Sequence, residues 1–340
     1  MPSNISVIIC CYNSSRVIEN TLEHLKKQRF EGIEWEIVLV DNNSDDETAS
    51  IAAACWNREA ISIPLRVVRE PKPGLANARI KGVETTAYDV ISFIDDDNLV
   101  PDNWISFQAG IFDNKEIGIL GCNSVGVFDS PPPEWYESNK YAFATGKLYE
   151  EDFLDITHDG AVFGAGMTLR KSIFQDLFSS GWQPALSGRI GNKQAGGEDS
   201  ELCQAARLMG YKIFYTNLIS LGHYIMNERL TWDRLVKMTH GFGSADALIL
   251  PFSITYDKYY KGKSLSFFLR KHWWFNYLGK KIMMFVRDPF SENRPYSQKI
   301  VIRARISSFC EAISRDRKLF RECFKIADKL MQVRHNNQNL

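Results

Sequence analysis

Four short apolar runs punctuate the first hundred residues, and helical patterns separate them. Ile5–Cys10, Glu36–Val40, Leu65–Val68 and the run from Val90 to Ile94 read as strands. Between them, stretches from about Arg16 to Gln28, about Asp46 to Trp56 and Leu75 to Glu84 read as helices. The first places Val17, Ile18, Leu22 and Leu25 to one side, with Ser15 positioned to cap it. Strands that alternate with helices require right-handed crossovers and a mostly parallel sheet with helices on both faces. A nucleotide-binding type of α/β domain is predicted.

The fourth run ends abruptly in Asp95, Asp96 and Asp97. The carboxyl edge of a buried parallel strand is where open α/β sheets bind ligands. Three adjacent carboxylates there repel one another, and a divalent cation would make them tolerable because hard cations take oxygen ligands. A solvated acidic turn before a helix near Pro101 would need no cation. Both readings stand on these residues alone.

After Gly118–Val125 the alternation stops. Pro131–Pro133 with Trp135, Tyr136, Tyr141 and Phe143 predict an irregular, exposed segment. Phe163–Leu169 reads as a strand whose glycines admit a close backbone, a ligand or a packed helix. Ser187–Gly197, with four glycines, reads as a loop that delivers Glu198 and Asp199 to a helix start. Ile213–Thr216 is a further short strand, followed by Ser220–His223.

Charge divides the chain. Residues 1–257 hold 22 Lys and Arg against 35 Asp and Glu, a net −13, and residues 258–340 hold 19 against 6, a net +13. Within the basic part, Phe267–Phe285 interleaves aromatics with Arg270, Lys271, Lys280 and Lys281, which suits an interfacial amphipathic helix. Residues 297–333 read as two more basic helices. Seven cysteines without a C-x-x-C pair predict neither a zinc site nor a disulfide framework, and hence a reducing compartment. Neither a leader peptide nor a bilayer-spanning helix is expected.

Six pieces follow one another in order: Cys11-Tyr12-Asn13, Val40–Asp45, Pro73–Arg79, Phe93–Asp97, Gly197–Leu202 and His223. Together they resemble the family 2 glycosyltransferases of the GT-A fold over roughly residues 4–245. The resemblance implies a catalytic domain over 1–257, with a donor half to about 125 and an acceptor half from about 126. Residues 258–340 lie outside it as a helical extension. It further implies inverting transfer of a sugar from a nucleotide donor, UDP-linked, to a hydroxyl of a glycan or lipid-linked acceptor. Mg²⁺ or Mn²⁺ would neutralise the leaving diphosphate.

By the same resemblance, Tyr12, Asn13, Asp41, Arg79, Asp95 and Asp96 would bind the nucleotide. Asp97 would be a direct metal ligand, with Asp95 and His223 completing the shell. Asp199, or in second place Glu198, would be the general base, although acids opening a helix are also ordinary dipole partners. Cys11 departs from the pattern, since relatives often carry Thr there. A sugar-nucleotide pyrophosphorylase would instead need a Gly-rich basic loop after the first strand, where Tyr12–Ser15 stands. A non-catalytic membrane module would not need carboxylates at both Asp95–Asp97 and Glu198–Asp199. The extension predicts a cytoplasmic enzyme held at an anionic inner membrane face. A protein contact, including one within a homo-oligomer, is the alternative, and nucleic acid is not an expected partner.

Overall fold

The computed structural model describes residues 3–59, 61–188, 196–287 and 296–338. The expected alternation is present as β1 (Ile5–Cys11), α1 (Ile18–Lys26), β2 (Trp35–Asp41), α2 (Thr48–Asn57), β3 (Leu65–Arg69), α3 (Leu75–Thr85) and β4 (Val90–Asp95). β1 and β2 are buried along almost their whole length, which is why they read as continuous apolar runs. β1 lies between β2 and β4, parallel to both, and β3 extends the row parallel to β2. Ser15 does not cap α1. The helix starts at Ile18, the Ser14 carbonyl accepts from the Val17 and Ile18 amides, and the Ser15 amide donates to Asp46.

The second half comprises β5 (Asn98–Leu99), α4 (Trp104–Ile111), β6 (Ile117–Val127), β7 (Phe153–Asp155), β8 (Thr168–Arg170), α5 (Ser172–Ser179), α6 (Glu198–Leu208) and β9 (Lys212–Tyr224). The sheet has nine strands among the described residues, in the order β3-β2-β1-β4-β8-β6-β9-β5, with β7 on β9. β8 runs antiparallel to both β4 and β6, so the parallel row ends at β4.

Three local expectations change. Phe163–Leu169 becomes a strand only at Thr168, because the backbone turns at Gly166 (φ +74°) and its amide donates to the Phe93 carbonyl. Ile213–Thr216 is the start of one long strand that runs on to Tyr224 and sets His223 beside Asn98. Tyr136 and Phe143 are not exposed: they bury themselves with Ile225, Leu230, Leu235 and Met238, and only Tyr141 faces solvent. Residues 189–195 of the expected Ser187–Gly197 loop lie outside the described residues.

The remaining helices are α7 (Trp232–Tyr260), α8 (Ser264–Arg270), α9 (Trp273–Arg287), α10 (Tyr296–Arg315) and α11 (Arg317–Gln338). Thr231 caps α7 by accepting from the Arg234 amide. α10 crosses α7 so closely at Gly243 that a Cβ there would collide with the Arg305 carbonyl. Arg305 grips Asp246 through two bonds of 2.7 and 2.9 Å. α11 sends Cys323, Ala327, Leu330 and Met331 into the core that also holds Trp182, Phe252 and Tyr256. Among the described residues, no helix is long and apolar enough to cross a membrane.

Candidate active site

The carboxyl ends of β1, β2 and β4 meet at one edge, and the loops that leave them are stitched together by short polar side chains. Tyr12 stands there 43% exposed, a free aromatic surface. Asn13, in a left-handed conformation at φ 53°, accepts from the Asp45 amide at 2.8 Å. Asp41 is buried and accepts from the Ser44 amide at 3.2 Å. Sequence reasoning missed Asn42. Its Nδ2 donates to the carbonyls of Glu70 (3.0 Å) and Lys72 (2.8 Å), and its Oδ1 accepts from the Gly74 amide (2.8 Å). That buried amide fixes the turn at which α3 begins, and α3 carries Arg79.

The acidic turn after β4 answers its own repulsion in three ways. Asp95 is half-buried, and its charge acts on both Arg79 and Arg229. Asp96 accepts a hydrogen bond from the Ser14 hydroxyl, and burial together with the Asp97 charge pushes its carboxyl up to about 7. Asp97 is buried between His223 and Arg229: His223 Nε2 lies 3.2 Å from Oδ1, and Arg229 Nη1 pairs with Oδ2. Burial works against the Asp97 charge, but His223 and Arg229 outweigh it and hold the carboxyl below the usual carboxylate range. Arg229 comes from a 3-10 turn, Asn227–Arg229, and no local signal in the sequence marked it.

Asp97 and His223, two of the three residues expected to hold a metal, are thus brought together. Asp95 does not join them: among the described residues, no group of three or more His, Cys, Asp or Glu side chains could hold a metal ion. The donor set nevertheless fits a Mg²⁺- or Mn²⁺-like ion. Such ions keep several waters and are bound through one or two carboxylates plus substrate phosphates, and Asp97 supplies one carboxylate here. An oxygen and an imidazole nitrogen 3.2 Å apart can occupy neighbouring positions of one shell.

On the facing side, α6 opens with Glu198 and Asp199. The two Asp199 oxygens accept from the Gly164 amide at 2.9 Å and the Ser200 amide at 2.7 Å, so its carboxylate is fixed by backbone. Glu198 Oε1 lies 3.6 Å from Arg79 Nη1. Arg79 is buried, with its guanidinium 5.2 Å from the centre of the Phe93 ring and against Gly164, where a Cβ would collide with it. Burial opposes its charge, yet Glu198, Asp95 and Asp199, in that order, more than offset the penalty and raise its pKa. Arg79 therefore joins the acidic turn to the start of α6, which sequence analysis could treat only as separate motifs.

Glu201, one turn further on, was also missed. It is 1% exposed and accepts from the Ala185 and Leu186 amides at 2.8 and 2.9 Å. The Ala76 amide donates to the Ser187 carbonyl, so this segment is tied to both α6 and α3. Burial pushes the Glu201 carboxyl up from 4.5 to about 7 against its two amide donors. A carboxyl raised in the folded state contributes stability that is complete below its unfolded pKa and is lost as pH rises through the folded one. Glu201→Gln does not titrate, and it strands one amide donor at about 1–3 kcal/mol. Urea melts are expected to show its deficit largest near pH 5 and shrinking toward pH 8; a deficit that grows with pH contradicts this account.

Comparison with known proteins bears on the family and the fold. The family described as Glycosyl transferase family 2 matches residues 6–178, about half of the chain. By sequence the chain is similar to glycosyltransferase GlyG of Streptococcus pneumoniae, 28% identical over 148 residues, or 43% of this chain and 46% of GlyG. It is also similar to poly(ribitol-phosphate) beta-N-acetylglucosaminyltransferase TarS of Staphylococcus aureus, 28% identical over 162 residues, 44% of this chain and 28% of TarS. The chain spans less than half the length of these curated relatives. In structure, TarS 1–349 in complex with UDP matches with a TM-score of 0.51 at 17% identity, over 93% of this chain and 91% of that one. Mannosyltransferase PcManGT from Pyrobaculum calidifontis, in complex with GDP-Man and Mn²⁺, matches with a TM-score of 0.51 at 14% identity, over 97% and 86%. At these identities the likeness speaks to the fold, and the expected GT-A architecture is the one found.

Proposed function

The chain belongs to glycosyl transferase family 2, and from that premise we propose that it transfers a sugar, with inversion, from a nucleotide-sugar donor to an acceptor hydroxyl. The observation that carries the reading is the buried Arg79, which pairs with Glu198 next to Asp199 at the start of α6 and feels the charge of Asp95 from the acidic turn. An inverting transfer needs a carboxylate that takes the acceptor proton and a cationic region that receives the diphosphate. Asp199, held by two backbone amides, is the base. Glu198 keeps Arg79 in place. Tyr12 lies against the base of the nucleotide, while Asp41 and Asn13 shape the loop around it and Asp95 and Asp96 face the ribose and diphosphate side. Asp97 and His223 would hold a divalent ion, which when bound supplies charge neutralisation to the leaving diphosphate. Arg229 and Arg79 supply fixed positive charge in the same crevice.

A UDP-sugar is the proposed donor, supported by the similarity to TarS, whose structure holds UDP. The acceptor is a glycan or lipid-linked hydroxyl, and the enzyme works at the inner face of the cell membrane through residues 258–340. Titration calorimetry with UDP and GDP, each with and without Mn²⁺, tests the donor side. Micromolar UDP binding that strengthens with Mn²⁺ is expected, and no binding of either nucleotide under any condition would remove the enzymatic reading.

A further inference from the structure

The basic extension is not uniform, and its parts differ in what they bury. α10 and α11 are satisfied by protein: Ile306, Phe309, Ile313, Phe320 and Phe324 pack with Ala247 and Ile254 of α7. α9 is different because it is apolar on two sides. Trp273, Tyr277, Met283 and Met284 turn inward onto that cluster. Trp274, Phe275, Leu278 and Ile282 form a second stripe that faces solvent, with Ile282 59% exposed. α8 continues the stripe with Leu265, Phe268 and Leu269, of which Leu265 is 79% exposed. A helix that is apolar around most of its circumference is ordinarily covered on all sides. A run of seven large exposed apolar residues on two adjacent helices marks an interaction surface.

Charge identifies what covers it. Residues 258–287 contain eight Lys or Arg and no Asp or Glu. Asp257 pairs with Lys261 and, at 3.8 Å, with Arg270. Among the described residues, Lys263, Lys271, Lys280 and Lys281 pair with no carboxylate. Lys271 lies over the Phe268 ring at 4.6 Å, so cation and apolar stripe share one border. Bases beside Trp, Phe and Leu, with acids excluded, match an anionic headgroup layer over acyl chains. A protein partner or a second copy of this chain, whose own surface here is equally basic, meets that charge less well. No helix among the described residues is apolar enough to enter the bilayer fully.

We propose that the outward face of α8 and α9, centred on Phe268, Trp274 and Leu278, docks the protein on an anionic lipid bilayer. This rests on the proposed membrane location and deepens it: docking belongs to two helices, and α10 and α11 hold them on the catalytic body. The face lies outside the sheet, so docking and donor binding are separable.

The test uses the full chain and vesicles of phosphatidylcholine alone or mixed equally with phosphatidylglycerol. The native protein is expected to sediment with the mixed vesicles, less with the neutral ones, and less again as salt screens the headgroups. A combined Phe268→Glu, Trp274→Glu and Leu278→Glu variant is expected to lose at least ~100-fold in vesicle partitioning, since three apolar side chains no longer leave water even in part. Its melting temperature and UDP affinity should stay native, because none of the three side chains is in the core or the candidate site. Native protein that remains in the supernatant overturns the proposal, as does a variant that sediments equally well. A native dimer that the variant converts to monomer, with no vesicle binding by either, assigns the face to a second copy and also overturns it. Donor hydrolysis measured on the same preparations separates the two readings: vesicle binding without any donor turnover leaves docking intact and removes the enzymatic assignment.

Discussion

Asp199→Asn is expected to lower sugar transfer by about 10²–10⁴ while leaving donor affinity within a few-fold of native. The reason is chemical before it is structural. An amide cannot accept the acceptor proton, whereas the carboxylate at the start of α6 presents unused lone pairs beside its two backbone donors. The substitution also leaves either the Gly164 or the Ser200 amide facing an NH₂ group, a cost of about 1–3 kcal/mol that a thermal melt would register without unfolding the protein. Single-turnover transfer combined with calorimetry of the donor separates the effects. Normal transfer by Asp199→Asn together with an inactive Glu198→Gln would exchange their roles. The ion pair of Glu198 with Arg79 favours Asp199 as the base, because a carboxylate occupied in holding a buried guanidinium is a poor proton acceptor.

Asp97→Asn is expected to act on both binding and stability. Its carboxylate is 3% exposed and shared between His223 and Arg229, so neutralising it leaves a largely buried guanidinium without its partner. Removing one member of a buried pair costs about 3–5 kcal/mol. The folded carboxyl lies below its ordinary value, so its contribution is present above the unfolded pKa and is lost only in acid. The destabilisation should therefore be fully expressed at neutral pH and begin to fade only below about pH 4. If Asp97 and His223 hold the divalent ion, Mn²⁺-supported UDP affinity should also fall by at least ~100-fold, beyond the 10–100-fold that second-shell losses bring. Affinity measured well below the melting temperature separates the two effects. A variant that binds UDP and Mn²⁺ as the native chain does would end the metal assignment, even if it melted early.

Much of this architecture is legible in the chain because it is local. The order of β1 to β4 and α1 to α3 follows from apolar runs and helical spacing, and those patterns need no knowledge of distant residues. The same holds for the placement of Asp95–Asp97 at a strand end and of Glu198–Asp199 at a helix start. The misjudged elements share a different origin. Tyr136 and Phe143 looked exposed because their neighbours are prolines and polar residues, yet their partners Leu235 and Met238 are supplied by α7, about ninety residues along the chain.

Residue order alone shows which residues carry charge, that Asp95–Asp97 stand at a strand end and that Glu198 and Asp199 open a helix. How those charges are balanced emerges only when the chain packs. Arg229 reaches Asp97 across 132 positions, Ser14 reaches Asp96 across 82, and Gly164 orients Asp199 across 35. Packing also settles which of the basic helices α8 to α11 are covered by protein and which keep an uncovered apolar stripe. The physical reason is common to all of these. Pairing energies depend on distance and on exclusion of water, and neither quantity exists until remote parts of the chain pack together.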